Sequence, residues 1–280
     1  MSGTAPVDYL LHLADNALVL GQRNAEWCGH GPILEEDLAL ANNSLDLLGQ
    51  ARLLYQHAAT LINADAAQSR RFGHLLGARS DGAVTEDTLA YFRDTHEFRN
   101  LTLLELPHSG PLAATACGDR DYATTLARNF LYSALMVLVW DRLQASADGQ
   151  LAAIAAKSLK EARYHLRHAS DWLVRLGDGT EESHARAQAA LHHLLPYCQE
   201  FWIGSEAETA AVHNGTGVDV AGLRADWDAL VDDTLKEATL QRPAMQGHVP
   251  QGKHGVHSEH MGFLLAEMQS LARAHPHAVW

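Results

Sequence analysis

Lys160-Glu161-Ala162-Arg163-Tyr164-His165-Leu166-Arg167-His168 is the stretch on which the fold turns. Glu161 and His165 are four residues apart, so a helix brings them to one side. Bundles that hold two metal ions project Glu-x-x-His from two helices and a single carboxylate from each of the other two. In that register the partner of His165 is Ala162, not Glu161. At about 100° per residue, Ala155, Leu159, Ala162, Leu166, Ala169 and Leu173 form one apolar arc. Glu161, His165, His168 and Trp172 flank it. Lys157, Lys160, Arg163 and Arg167 form a basic stripe at the back, expected to be solvated or at an interface.

Working outward, this helix spans about 150–176. Gly177-Asp178-Gly179 ends it, with Gly177 as the expected C-cap. Asp148-Gly149 turns back into a helix of about 119–147, opened by Asp119. A similar pair lies earlier. A helix of about 7–27 carries Leu10, Leu11, Ala14, Ala17, Leu18 and Gly21 on one stripe. Gly29-His30-Gly31-Pro32 breaks it. A helix of about 34–62 follows, with Leu40, Leu47, Ala51, Leu54 and Ala58 in register and Glu35, Glu36 and Asp37 at its positive N-terminal end.

The two hairpins have matching dimensions. Leu18 and Leu47 stand 29 residues apart about one turn, as do Ser133 and Ala162 about the other. The hairpins are offset by 115 residues, which also carries Gln50 onto His165. A duplicated helix hairpin gives this relation; chance agreement of two ordinary hairpins is the alternative. Accessory helices are expected at about 85–106 (Thr85 as N-cap), 180–202 (kinked or shortened by Pro196), 219–241 (capped by Asp219) and 258–275 (capped by Ser258). Residues 63–84 read as a mostly exposed connection with room for one short helix. Alternating strand patterns are nearly absent, so the fold class is all-α: one domain over 1–280, an up-down four-helix bundle with additional C-terminal helices.

The register places six residues where a di-metal bundle keeps its ligands: Leu18, Leu47, Gln50, Ser133, Ala162 and His165. None is a carboxylate, and two hard cations need several anionic oxygens. The site therefore reads as degenerate, with no metal, catalytic or cofactor-binding residue assigned. Glu161 and His165 read as a helix-surface or buried hydrogen-bonded pair, against the alternative of an autonomous metalloenzyme using them or the His254/His257/His260 cluster. Asn43 and Gln50 read as buried hydrogen-bonders, with His165 a candidate partner for Gln50. His254, His257 and His260, near Glu259, admit either a zinc site or a loop ordered by hydrogen bonds. Cys28 and His30 are too close in sequence to face one another as nucleophile and base. No phosphate loop or nucleotide fingerprint is present.

The formal net charge is −13, which excludes bulk attraction to nucleic acid. Three scattered cysteines, Cys28, Cys117 and Cys198, argue for a reducing compartment rather than a disulfide framework. The sequence opens with no signal-peptide pattern, and its densest apolar run, Leu131 to Trp140, is about half the roughly 20 residues a membrane helix needs. The expected location is cytoplasmic.

Several stretches together resemble a known family. They are Asn24-Ala25-Glu26-Trp27-Cys28-Gly29-His30-Gly31-Pro32, Asp37–Asn42, Leu45–Arg52, Lys160–Arg167, Gly255–His260 and Leu265–Gln269. They are similar to the C subunits of bacterial phenylacetyl-CoA epoxidase, also called phenylacetate-CoA oxygenase. The likeness runs from about residue 8 to Trp280 and weakens in 63–84 and 107–120. The resemblance implies a ferritin-like fold and a place in a multicomponent oxygenase that adds one oxygen atom of O2 across the aromatic ring of phenylacetyl-CoA. It implies a homologous catalytic A subunit holding di-iron, a reductase carrying flavin and iron–sulfur and fed by NADPH, and a structural C subunit without cofactors. It leaves open a contact with CoA and a homodimer of the isolated chain. Ser133 stands where the resemblance leaves room for an acid, and even an acid there would leave the set incomplete. Phe201-Trp202, Trp227 and Phe263 are candidates for exposed contacts with a partner or for core packing. The remaining alternative is a ferritin-like scaffold or small-ligand binder outside this pathway.

Overall fold

The computed structural model describes residues 3–79, 82–110, 120–247 and 249–278. The expected helix start at Asp119, Cys117 and the terminal Trp280 lie outside the described residues. Two antiparallel helix hairpins form the ferritin-like up-down bundle. Helix α1 (Val7–Ala25) pairs with α2 (Leu34–Ala64). After α3 (Ala66–Phe72), α4 (Glu86–Tyr91) and α5 (Thr102–Glu105), α6 (Tyr122–Leu143) pairs with α7 (Gly149–Gly177). Then come α8 (Glu181–Leu194), α9 (Glu206–His213), α10 (Arg224–Glu237) and α11 (Glu259–Ala274). No β-strand forms among the described residues, and no helix is long and apolar enough to cross a membrane.

The four bundle helices are of two kinds. Of the 19 residues of α1, 16 are buried, and of the 22 of α6, 17 are buried. These two are covered nearly all round, which is why they are so poor in charge. Helices α2 and α7 are one-sided. Of the ten buried positions of α7, nine fall on buried positions of α2 after a shift of 115 residues; only Ala39, opposite Ile154, is half-buried instead. The 115-residue correspondence read from turn spacing thus extends to the packing face.

Each hairpin turn has a specific lock. In the first, Gly29 has φ +78°, and a side chain on Gly31 would meet the Asp37 backbone at 2.7 Å. The Gly31 N–H donates to Asp37 Oδ2 at 3.0 Å. In the second, Asp148 accepts from the N–H groups of Gln150 and Leu151 at 3.1 Å, from Ala5 N–H at 2.9 Å and from His57 Nε2 at 2.9 Å. Burial alone would raise the Asp148 carboxyl, but these bonds hold it below the usual carboxylate range.

Several boundaries differ from expectation. Helix α6 begins at Tyr122, with Asp121 accepting from Ala123 N–H at 2.9 Å. Gly177 is the last helical residue and Asp178 the cap. The glycine is needed for close approach instead: a Cβ there would come within 2.1 Å of the Ala238 carbonyl oxygen. That same contact turns the chain away after α10, with Thr239 at φ 57° and its hydroxyl donating to the Gly177 carbonyl at 3.1 Å. The helix expected over 219–241 is therefore Arg224–Glu237, preceded by a 3₁₀ turn at Ala221–Leu223. Pro196 does shorten α8, and the chain continues as 3₁₀ helix over Leu195–Trp202. The described residues of 63–84 are mostly exposed, as expected, and contain the short helix α3 and a 3₁₀ segment over Gly73–Arg79; Phe72, Leu75 and Val84 are the points at which they bury side chains. Helix α9 has no counterpart in the sequence expectations. Thr85 caps α4 as expected, through a reciprocal bond with Thr88, whereas the Ser258 hydroxyl makes no cap bond to α11.

The segment between the hairpins is held by a buried charge. Asp15, fully enclosed in α1, forms an ion pair with Arg93 and accepts from the Tyr55 hydroxyl at 2.5 Å and Arg99 N–H at 2.7 Å. Saturation of both oxygens is what makes a carboxylate tolerable there. Phe201 and Trp227 are fully buried, with ring centroids 5.9 Å apart and the Trp227 indole donating to the Leu131 carbonyl at 3.1 Å. They are core residues, not partner contacts; Phe263 is 70% exposed.

Candidate functional site

The six register positions lie inside the bundle, all at 5% exposure or less. Leu18, Leu47 and Ala162 belong to the continuous hydrophobic core. Ser133 is buried beside them in sequence register on α6. Gln50 and His165 turn to the seam between α2 and α7. Gln50 Nε2 donates to Glu161 Oε2 at 2.9 Å, and His165 Nε2 bonds Asp46 Oδ2 at 3.1 Å. The expected Gln50–His165 partnership does not form, nor do Glu161 and His165 bond each other: each reaches across to α2. Lys157 completes the shell of Glu161 at 2.6 Å. Asp46 was not singled out from sequence, although the 115-residue shift carries it onto Glu161.

Further along the seam, Glu36 accepts from the Tyr122 hydroxyl at 2.5 Å and bonds His168 Nε2 at 2.8 Å. Burial, then the bond to Glu36, pushes the Tyr122 phenol well up, so it stays a protonated donor. Asn43 is buried as expected, but its Oδ1 lacks a partner among the described residues; so does the hydroxyl of Ser158, its image on α7.

The donor chemistry does not suit a pair of hard cations. Three of the six side chains are hydrocarbon, two are neutral oxygen or amide groups, and the one imidazole is engaged by Asp46.

The other candidates resolve into local structure. His257 Nδ1 bonds Glu105 Oε2 at 2.9 Å and its Nε2 bonds the Phe98 carbonyl at 3.1 Å. Burial alone would lower this imidazole, but Glu105 and the carbonyl raise it, and two acceptors suit the doubly protonated ring. Such a ring is a strap, holding the entry to α11 against α5. His254 is exposed, and His260 contributes a backbone carbonyl to Arg23 at 3.3 Å. Among the described residues no group of three or more His, Cys, Asp or Glu is placed to hold a metal ion. Cys28 is exposed on the first turn, and no hydrogen bond joins it to His30, whose N–H donates to the Trp27 carbonyl at 2.8 Å. In the basic stripe, Arg163 reaches Asp141 at 3.6 Å, while Lys160 and Arg167 are exposed without an ion pair among the described residues.

Comparison with known proteins now bears on this arrangement. The profile of the family described as phenylacetic acid catabolic protein matches residues 2–280. The chain belongs to that family. A curated member from Escherichia coli (strain K12), named as the C subunit of 1,2-phenylacetyl-CoA epoxidase, is 44% identical over 272 residues, covering 97% of this chain and 98% of the relative. In this member of the phenylacetic acid catabolic protein family, Leu18, Leu47 and Ala162 are buried in the hydrophobic core of the bundle.

Proposed function

We propose that this chain is a structural, non-catalytic subunit of a multicomponent di-iron oxygenase that epoxidises the aromatic ring of phenylacetyl-CoA. Its role is to hold a homologous catalytic subunit, which carries the iron, in a fixed geometry. A separate reductase with flavin and iron–sulfur centres passes electrons from NADPH, and the assembly works in the cytoplasm. The relative's name supports the complex, and one observation supports the division of labour: the positions that would supply four carboxylates and two histidines hold Leu18, Leu47, Gln50, Ser133, Ala162 and His165. Closing the centre with hydrocarbon avoids the cost of unpaired buried carboxylates.

The test is metal analysis of the purified chain, with turnover assayed alone and after mixing with the other subunits. The expected result is no stoichiometric iron, no oxidation alone, and restored turnover only in the mixture. Stoichiometric iron with an O2-dependent activity of the isolated chain would overturn the reading.

A further inference from the structure

The duplicated hairpin provides an internal control for the protein's outer surface. On α2, Leu34, Leu38, Ala41, Leu45 and Leu48 recur at intervals of four, three, four and three residues. At about 100° per residue they form one stripe: Leu34, Leu38 and Leu45 are turned away from the buried face centred on Leu40, Leu47 and Leu54, Ala41 is half-buried between them, and Leu48 ends the stripe by packing against the core. Leu34 is 72% exposed, Leu38 54% and Leu45 66%. The same stripe on α7, shifted by 115 residues, reads Gly149, Ala153, Ala156, Lys160 and Arg163. The inner faces of the two helices have stayed alike and the outer faces have diverged. Helix α7 has the composition of a wetted surface. Helix α2 keeps leucines at the positions that became Ala153 and Lys160 on its twin, so solvent exposure of this fold does not itself require them.

A four-three alternation is the 3.5-residue repeat with which one helix meets another along its length. Isolated surface leucines would need no explanation, but an aligned series at that repeat does. The flanks of the stripe carry Glu35, Asp37 and Asp46, and the first turn at Ile33, 51% exposed, extends its apolar end.

We infer that the outer stripe of α2 is a docking surface for a helix of another subunit of the oxygenase, one with its own 3.5-residue apolar repeat and with Lys or Arg at the positions facing Glu35, Asp37 and Asp46. This rests on the reading of the chain as an oxygenase subunit. The charge pattern selects the orientation of that helix, and the leucines supply the contact area.

The test compares the intact chain with Leu38→Gln/Leu45→Gln, and with Ala153→Gln/Ala156→Gln on the equivalent stripe of α7. Each is mixed with the other purified oxygenase subunits and read by size exclusion with light scattering and by titration. Circular dichroism and melting of each isolated chain confirm folding. The α2 variant is expected to keep its fold and to bind more than about 100-fold more weakly, from two leucines at about 1.5 kcal/mol or more each; the α7 variant is expected to bind within about threefold of the parent. Unchanged binding by a folded α2 variant overturns the inference. So does a parent homodimer that the α2 substitutions split while association with the other subunits is kept, since the stripe then covers a second copy. Absence of binding by the parent chain instead removes the functional reading beneath it.

Discussion

The bond between His165 and Asp46 has an image in the same molecule. His165 Nε2 lies 3.1 Å from Asp46 Oδ2, and Gln50 Nε2 lies 2.9 Å from Glu161 Oε2. A shift of 115 residues carries Asp46 onto Glu161 and Gln50 onto His165, so each bond maps onto the other with donor and acceptor types preserved. The two hairpins therefore share a reciprocal pair of polar locks beside a centre filled with hydrocarbon. The two locks differ in setting: the Asp46 side chain is 39% exposed, Gln50 and His165 are buried, and Glu161 is mostly so.

Glu161→Ala is expected to destabilise the fold by about 1–2 kcal/mol, because it strips the acceptor from a buried amide. Asp46→Ala is expected to cost less, about 0.5–1 kcal/mol, since water can replace the exposed carboxylate. Urea unfolding of the two variants and the parent measures both. Equal costs, or a larger cost at Asp46, would count against the burial argument.

The hairpins were legible because their signals are local: apolar spacing, Gly-Pro and Asp-Gly turns, and equal arm lengths. The choice of partners at the seam was not, because Asp46, Gln50, Glu161 and His165 lie within one helical turn of each other in two helices. Applying the 115-residue shift to Asp46 as well as Gln50 would have found the reciprocal pair. Helix α9 escaped notice because eight residues carry too little periodicity; its one signal was the capping box of Ser205 and Glu208, where Glu208 Oε2 accepts from Ser205 N–H at 2.7 Å. For Phe201 and Trp227 the choice between partner contact and core packing stayed open in the sequence for a different reason. Whether an apolar residue on an accessory helix faces the bundle depends on how that helix lies, which no pattern within it states.

The His257 strap should give stability a recognisable pH dependence. Its folded pKa is raised above the ordinary value of about 6.5. A raised histidine contributes fully below the unfolded pKa, and the contribution is lost as pH rises through the folded one. The stability difference between parent and His257→Gln should therefore be largest at pH 5–6 and shrink above neutrality. His108 and His12 act oppositely: burial lowers both, so the parent itself should weaken as pH falls below about 6.5. Parallel chemical denaturation of the two proteins across pH 5–9 separates the effects, and a difference that grows with pH would contradict the strap.

Two helical glycines should respond in opposite directions to the same substitution. At Gly177 a Cβ would lie 2.1 Å from the Ala238 carbonyl oxygen, a backbone atom that cannot move without shifting the end of α10. Gly177→Ala is expected to cost about 1–3 kcal/mol through overpacking. At Gly262 in α11 a Cβ meets nothing within 4 Å, so Gly262→Ala should stabilise by about 0.5–1 kcal/mol through lower unfolded-state entropy. Thermal melts of the two variants decide it; loss of stability at Gly262 would mean that α11 is not packed as described.

A carboxylate placed at Leu47 tests how firmly the hydrocarbon centre excludes charge. Leu47 is 4% exposed, lies within the core and has no cation or hydrogen-bond donor assigned to it. Leu47→Glu is expected to destabilise the chain by about 3–5 kcal/mol at pH 8, through lost apolar burial and an unpaired charge. Burial should raise the new carboxyl above its unfolded value of about 4.3, so part of the loss should be recovered as pH falls towards 5, where the buried acid is protonated and the unfolded one is still ionised. Added Fe(II) should not restore stability, because one carboxylate and an Asp46-bound His165 make too few ligands. Full rescue of the melting temperature by ferrous iron would mean that a competent ligand set survives around Leu47, and that the centre was closed by a single substitution rather than by the whole set.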